Sequence, residues 1–361
     1  MPSTTGMKGG GYYDAHSKEQ RSALEAFLPW IEEAIADLPI SSDSQVSLGI
    51  LDIGSSEGGN AIYVMNRLIS RLRCISNLPI GVFFNDLPSN DFNHLFKNLF
   101  PDGEAALSGT NIFPCAIGGT AYGRIVPPQS LQIVTSFNTI GWLEKKPDVG
   151  LPHYILPMGP GSLAPREGVS VSESERAPFQ VQADNDLYRF YTARAEELVY
   201  GCKLLVQVFG RDERFSTSDG IYDVLSDSVL ESIEEGMLPP EVYKELVFPI
   251  YFRTLEELLA PIDTDIRLAK SFRIDKAETC EVSVPFNVAL ADNDDIAAWA
   301  RSYTGFLRAF TEAILASALP GDLPLSDTLD KIYHHVEHRL TADPASYEFH
   351  YISIAALLTR I

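Results

Sequence analysis

The sequence predicts an α/β protein built on a doubly wound, mostly parallel sheet. Short apolar runs alternate with stretches of helical period along the first 211 residues, the pattern of strands joined by crossover helices. The first of these runs is unbroken and closes on Asp and Gly, as a strand buried on both faces does. Apolar residues make up 45% of the chain and charged residues 21%, an ordinary balance for a packed globular fold.

The elements follow in order. Residues 17–38 carry Leu24, Phe27, Leu28, Ile31, Ile35 and Leu38 at helical spacing, which predicts an amphipathic helix. A polar loop over 41–44 leads to a strand over 46–54 and a helix over 61–73. The alternation repeats as a strand over 79–87 and a helix over 91–99, then as weaker strands over 111–119 and 130–139. A long helix over 185–200 passes through Gly201 into a strand over 203–211, and the apolar C-terminus from Phe349 reads as a last strand. Two regions break the rhythm. Residues 157–178, rich in Pro, Gly, Ser and Glu, read as a loop, mobile or closing as a lid. Residues 213–245 and 292–340 have helical period, with Trp299, Tyr303, Phe306, Leu307 and Phe310 on one stripe, and predict a helical cap. The expected division is a core of residues 1–212, 246–291 and 341–361 under a cap of 213–245 and 292–340. At 361 residues the chain suits one enlarged domain or a core with an insert.

Charge and composition narrow the function. A net charge of −21 argues against nucleic acid or an anionic membrane surface, because phosphate binding needs a basic face. No run approaches the roughly 18 apolar residues of a membrane span, and the N-terminus shows no signal-peptide core. The four cysteines, Cys74, Cys115, Cys202 and Cys280, form no CxxC pair and read as reduced thiols, so a cytoplasmic protein is expected.

The segment from Leu51 to Asn60, LDIGSSEGGN, joins the first strand to its helix. Its spacing is not GxGxxG, so the dinucleotide fingerprint fails and a nicotinamide dehydrogenase is disfavoured. It is instead the acidic-x-Gly-x-x-x-Gly pattern of methyltransferases, where a carboxylate (Asp52) meets the cationic methionine end of the cofactor. Asp86 ends the second strand, where a carboxylate accepts hydrogen bonds from ribose hydroxyls outside the strand carboxyl ends.

On these and further motifs the chain resembles the SABATH methyltransferases, named for salicylate, benzoate and theobromine methylation. MKGGGYYDAHSKEQ, DIGSSEGGNA, FFNDLPSNDFNHLF and AYGRIVPPQSLQIVTSFNTIGWL are similar to the family's segments, the third over a long and specific stretch. FGR and FPIYFRTLEEL further on fit as well. The resemblance implies a class I methyltransferase, with a Rossmann-like sheet under a helical cap, in a homodimer. It implies S-adenosyl-L-methionine as donor, S-adenosyl-L-homocysteine as product, and a small carboxylic acid, aromatic or dicarboxylic, or a purine-like heterocycle as acceptor. No metal is implied.

Position by position, the resemblance places Ser17, Asp52, Gly54, Asn60, Asp86 and Leu87 at the cofactor and Gln20 and Trp142 on the substrate carboxylate. Tyr222, Tyr251, Tyr303 and His350 fall on or near acceptor-pocket walls. Several positions depart from the family. Thr120 and Ala121 replace the serine–aromatic pair that frames the adenine, Asn138 stands for a tyrosine in the acceptor pocket, and Gly141 stands for a bulky residue. HYILPMGPGS replaces a further family segment. These changes suggest a roomier or more polar pocket. Gln20 and Trp142 suit carboxylate binding because an amide and an indole N–H donate hydrogen bonds without charge, and a carboxylate needs no general base to attack a sulfonium methyl. Phe306 and Phe310 are expected in the cap core, as is a solvated or packed helix face for His334, His335 and His338 rather than a metal site. An N-methyltransferase of a purine-like heterocycle and a cofactor-binding interaction module without catalysis stay open as alternatives.

Overall fold

A computed structural model describes residues 6–41, 47–161 and 169–361. Val46, the expected first residue of the opening strand, and 162–168 of the expected loop lie outside them. Seven strands form one sheet in the order β3-β2-β1-β4-β5-β7-β6: β1 (Leu48–Ile53), β2 (Ile80–Asp86), β3 (Ile112–Gly118), β4 (Leu131–Phe137), β5 (Leu198–Phe209), β6 (Phe272–Val282) and β7 (Tyr351–Arg360). The first five run parallel, while β7 lies antiparallel between β5 and β6. With the flanking helices this is the α/β class I methyltransferase fold.

Among the described residues twelve α-helices accompany the sheet: α1 (Tyr12–Ala15), α2 (Lys18–Ala34), α3 (Gly59–Arg73), α4 (Phe92–Leu99), α5 (Glu173–Glu197), α6 (Ile221–Glu234), α7 (Glu241–Glu245), α8 (Leu255–Thr264), α9 (Ile266–Ala269), α10 (Pro285–Asn293), α11 (Ile296–Ala318) and α12 (Leu325–Ala342). The amphipathic stripe of α2 buries Leu24, Phe27, Leu28 and Ile31 against β5 and β7. Helix α12 packs on both α6 and α11. No helix of the described residues is long and apolar enough to cross a membrane.

Three expectations need correction. Residues 173–178 are not loop but the opening turns of α5, closed by a capping box between Ser172 and Glu175, which satisfies two otherwise orphaned backbone donors. The same helix ends at Glu197, so β5 begins five residues before the expected 203. The part of HYILPMGPGS before the undescribed residues packs into the core, with Tyr154, Ile155 and Leu156 fully buried. Tyr154 donates to Asp223 Oδ1 at 2.5 Å, and the Gly161 N–H also reaches Asp223. Of the expected 157–178 loop, Gly161 is thus tied to α6 rather than free.

β6 is the strand that no apolar run in the sequence predicts. It is one edge of the sheet, and charged residues such as Arg273, Lys276 and Glu278 are spread along it. Lysines and acids on an edge strand discourage pairing with other chains and erase the apolar run by which interior strands are found.

Candidate active site

Parallel strands bring their C-terminal ends to one edge, and the order reverses between β1 and β4, where ligands of doubly wound sheets bind. Two adjoining cavities open there. The larger is lined by Asp86, Leu87, Thr120, Ala121, Trp142 and Tyr222 among others, the smaller by Asp52 and Asn60. Gln20, Gly54, Ser56 and Asn138 line both and mark their junction.

Asp52 is buried on β1, where Oδ1 accepts from Thr135 Oγ1 at 2.8 Å and Oδ2 from Ser55 Oγ at 2.9 Å. Asp86 ends β2, its Oδ2 accepting the Ser56 N–H and its Oδ1 the Leu87 N–H, both at 2.7 Å. Burial outweighs these bonds and pushes each carboxyl up to about 6, because charge in a poorly solvated site needs a counter-charge. Neither has a cationic partner among the described residues, and no Lys, Arg or His lines either cavity among them. Asp14 and Glu57 add further negative charge, and the Tyr13 phenol is held protonated by burial and by all four carboxylates.

The turn after β1 is shaped to admit a ligand. Gly54 has φ +83°, and a Cβ there would lie 1.9 Å from Thr139 Oγ1, so only glycine fits. Ser56 takes a left-handed φ of 49°, and its buried hydroxyl has no hydrogen-bond partner. An unmatched buried hydroxyl costs roughly 1–3 kcal/mol and points to a ligand that completes it. Ser56, Tyr13 and Glu57 were not singled out from the sequence; the place of Ser56 and Glu57 between Gly54 and Gly58 of the turn was the available signal.

The N-terminal segment is tied across this edge. Glu57, on the turn, accepts the Gly11 N–H at 2.6 Å and the Asp14 N–H at 3.1 Å. Asp14 in turn accepts from Gly59 N and Asn98 Nδ2. Lys8 reaches α11, pairing with Glu312 at 2.9 Å while its N–H donates to Ala309 O. Gly6 and Met7 thereby become part of the larger cavity's wall.

The predicted residues divide. Asp52, Gly54, Asp86, Leu87, Thr120, Ala121, Gln20, Trp142, Asn138 and Tyr222 line a cavity. Ser17 lines neither; its hydroxyl and carbonyl accept from Asn60 Nδ2 at 3.2 Å. Asn60 Oδ1 also accepts from Arg21 Nε, so this amide clamps α2, and with it Gln20, to α3. Tyr251 faces away: Ile250 and Phe252 on either side line the cavity, while Tyr251 Oη donates to Glu257 at 3.2 Å. His350 is displaced in the same way between the lining residues Phe349 and Tyr351, stacked on Phe215 at 3.7 Å and bonded to Glu281 at 2.6 Å. Tyr303 sits farther along α11, stacked on Phe286 at 5.0 Å and donating to Tyr347 O. Phe306 and Phe310, expected in the cap core, pack there and also line the cavity.

Two departures from the family pattern are accounted for locally. A Cβ at Gly141 would lie 2.1 Å from the Phe209 ring; that ring, from β5, occupies the space, so the glycine does not enlarge the cavity. Asn138 adopts φ 59° and its Oδ1 accepts from Gln207 Nε2 at 3.1 Å and Tyr351 Oη at 3.0 Å, which makes Tyr351 the aromatic residue at that wall. His334 and His338 are exposed on α12, and His335 turns to Ser232 and Glu235.

Beneath the wall that carries Thr120 and Ala121, Arg194 and Glu197 of α5 form a fully buried pair at 2.7 Å. Arg194 donates to the carbonyls of Ala121 and Gly123, and Glu197 accepts the amides of Ile125 and Val126. The pair fixes the loop that carries Thr120 and Ala121.

Unpaired carboxylates, an unmatched hydroxyl and a glycine cradle fit a cationic, hydroxyl-bearing nucleoside and repel a pyrophosphate. With the sheet order they define a class I methyltransferase whose cofactor is S-adenosylmethionine. Over residues 3–361 the chain matches the family described as SAM dependent carboxyl methyltransferase, and it belongs to that family. It is 27% identical over 284 residues to a probable jasmonic acid carboxyl methyltransferase 1 of Theobroma cacao, covering 75% of this chain and 74% of that one. It is 26% identical over 381 residues to the 3,7-dimethylxanthine N-methyltransferase TCS1 of Camellia sinensis, covering 98% and 95%. A solved structure titled loganic acid methyltransferase with SAH shares the fold, with a TM-score of 0.77 at 21% identity over 98% of each chain.

Proposed function

We propose that the protein forms the methyl ester of a small carboxylic acid, with Gln20 and Trp142 orienting the carboxylate and the cap helices shaping its pocket. The supporting observation is the position of Gln20: it lines both cavities, between the acidic turn and the cap, and its buried Oε1 has no partner. Turning the amide over places Nε2 at the same point as a donor. Trp142 lines the larger cavity, and its indole N–H meets no acceptor among the described residues. When bound, S-adenosylmethionine supplies an electrophilic methyl that a carboxylate oxygen takes, the sulfur–carbon electron pair passing to sulfur and no proton moving.

The chain's own residues then have three tasks. Asp52, Ser56 and Asp86 hold the nucleoside, with Thr120 and Ala121 beside its base. Gln20 and Trp142 hold the acid with uncharged donors, which bind the carboxylate without a competing salt bridge. Aromatic side chains of α6 and α11 keep water out. Division into a core and a cap belongs to this reading, as do a homodimer and a cytoplasmic location; free cysteines throughout the described residues support a reducing compartment, and sedimentation tests the dimer.

Turnover of a panel of acids and xanthines, read by S-adenosylhomocysteine release, tests the proposal. Acids should be methylated and xanthines not, and Trp142→Phe should lower turnover while cofactor affinity holds. Xanthine turnover without acid turnover would overturn it.

A further inference from the structure

A buried carboxylate beside the site has no counter-charge of its own. Glu57, on the turn after β1, is 1% exposed and lines neither cavity, so a bound nucleoside does not neutralise it. It forms no ion pair with a described residue. Its two carboxyl oxygens accept the Gly11 and Asp14 N–H groups. A buried carboxylate is ordinarily paired with a cation or bound to a metal, and amide hydrogen bonds alone leave that requirement unmet.

Two more donors converge on Glu57 from separate elements. Asp14 of α1 contributes a carboxylate oxygen and His94 of α4 a ring nitrogen, and with an oxygen of Glu57 these atoms all lie within 4.8 Å of one another. The His94 ring makes no hydrogen bond and no ion pair among the described residues; its backbone N–H donates to Asp91. The imidazole thus stands beside two carboxylates without bonding either. Donors about 2.0–2.2 Å from one shared metal ion stand about 3–4 Å apart, a spacing that small side-chain rotations reach from here. Burial raises the Asp14 carboxyl, against the Gly59 amide, and the neighbouring Glu57 raises it further, as crowding of like charges does. The backbone makes way for the ring: a Cβ on Gly11, at φ +82°, would lie 3.0 Å from His94 Cε1.

We propose that Asp14, Glu57 and His94 bind one divalent transition-metal ion, zinc or manganese, which pins the N-terminal segment to the turn after β1. One imidazole among carboxylates favours these ions over calcium and magnesium, which take oxygen ligands. The double charge balances the two carboxylates, and water completes the coordination. The ion joins α1, the turn and α4, and so steadies the segment whose Gly6, Met7 and Tyr13 line the larger cavity. It takes no part in methyl transfer, because Glu57 and His94 lie outside both cavities, and the inference does not depend on which acceptor is methylated. A second group, Glu231, Glu235 and His335, is similarly clustered. There Arg339 already pairs with Glu231 at 2.7 Å and Glu235 is exposed, so it carries no such proposal and serves as the control.

The test titrates the chelator-stripped full chain with zinc chloride and with manganese chloride by calorimetry, without cofactor or acid. Wild type, His94→Gln, Asp14→Asn and His335→Gln are compared. The His94 ring bonds to nothing in the protein, so His94→Gln should melt like the metal-free wild type. At least one of the two ions should bind once per chain to the wild type and to His335→Gln. Its affinity should fall at least about tenfold in His94→Gln and in Asp14→Asn. A hundredfold excess of that ion over its Kd should raise Tm by about 3–5 °C in the wild type and leave His94→Gln unmoved. The same ion should slow deuterium exchange at the Gly11 and Asp14 amides. No binding of either ion, binding kept at full strength in both His94→Gln and Asp14→Asn, or binding lost in His335→Gln would overturn the site. Binding that leaves the Gly11 and Asp14 amides unprotected would overturn the pinning. Each of these results leaves methyl transfer standing, since none of them reads turnover.

Discussion

Lowering the pH from about 7.5 to about 5 should weaken cofactor binding by an amount set by Asp52 and Asp86. Both carboxyls are pushed up to about 6 by burial, against an ordinary value of about 4. A raised carboxyl pKa means that the free protein binds protons which the unfolded chain releases. The stability these two groups contribute is present below about 4 and is lost as pH rises through about 6. A nucleoside bearing hydroxyl donors and a positive charge requires the ionised forms, so its affinity must move the other way, rising with pH and levelling above about 6. One unit below that value about one carboxylate in eleven is ionised, and each required group lowers affinity roughly tenfold, or about 1.4 kcal/mol. Because Asp86 raises Asp52, the two titrate as a pair, and together they can reach about a hundredfold. Calorimetry with S-adenosylmethionine in the absence of acid, in buffers of different ionisation enthalpy, measures both affinity and protons released. Close to two protons should leave per ligand at about pH 5 and almost none at about 7.5, with Asp86→Asn removing one of them. Equal affinity at both ends without proton release would refute the reasoning, as would an unchanged slope in Asp86→Asn.

Three further outcomes are expected. Arg194→Met strands Glu197, 0% exposed, and should cost roughly 3–5 kcal/mol in urea denaturation, weakening S-adenosylhomocysteine binding through the loosened 120–126 loop; a stability change within error would refute that role. Gly141→Ala should destabilise by about 1–3 kcal/mol through contact with Phe209; adding Phe209→Ala should recover part of that loss, and strict additivity in the double-mutant cycle would show the two do not share the space. An acid should bind at least about tenfold more tightly when the protein carries a cationic donor analogue than when it carries S-adenosylhomocysteine; equal binding by calorimetry would show that the acidic site does not depend on the sulfonium for charge balance.

The parts of the fold that a reader of the sequence can place are those where one physical signal dominates. β1 and β2 are apolar runs because they are interior strands, and α2 and α3 carry full apolar stripes. β6 is invisible by the same logic, since an edge strand studded with charges has no run to see. The start of α5 carried two opposed signals: Pro178 and the surrounding Ser and Glu argued for loop, while Ser172 and Glu175 spelled a capping box, and the cap governed. At the site, Asp52, Asp86 and Gln20 could be placed by motif. Tyr251 and His350 could not, because their neighbours in sequence face the cavity and a one-residue slip in extended backbone reverses the side chain. Tyr303 lies on the expected stripe of α11 but too far along its axis, a coordinate that periodicity does not report.

The exchange of bulk between Gly141 and Phe209 bears on how such a pocket evolves. Relatives of the resembled pattern carry the large side chain at the position of Gly141, whereas here it arrives from the neighbouring strand. A lineage passing from one arrangement to the other by single steps must cross either an overfilled or a hollowed intermediate, each disfavoured. The two positions thus form one packing unit, and grafting one of them alone from a relative would transplant half of a solution.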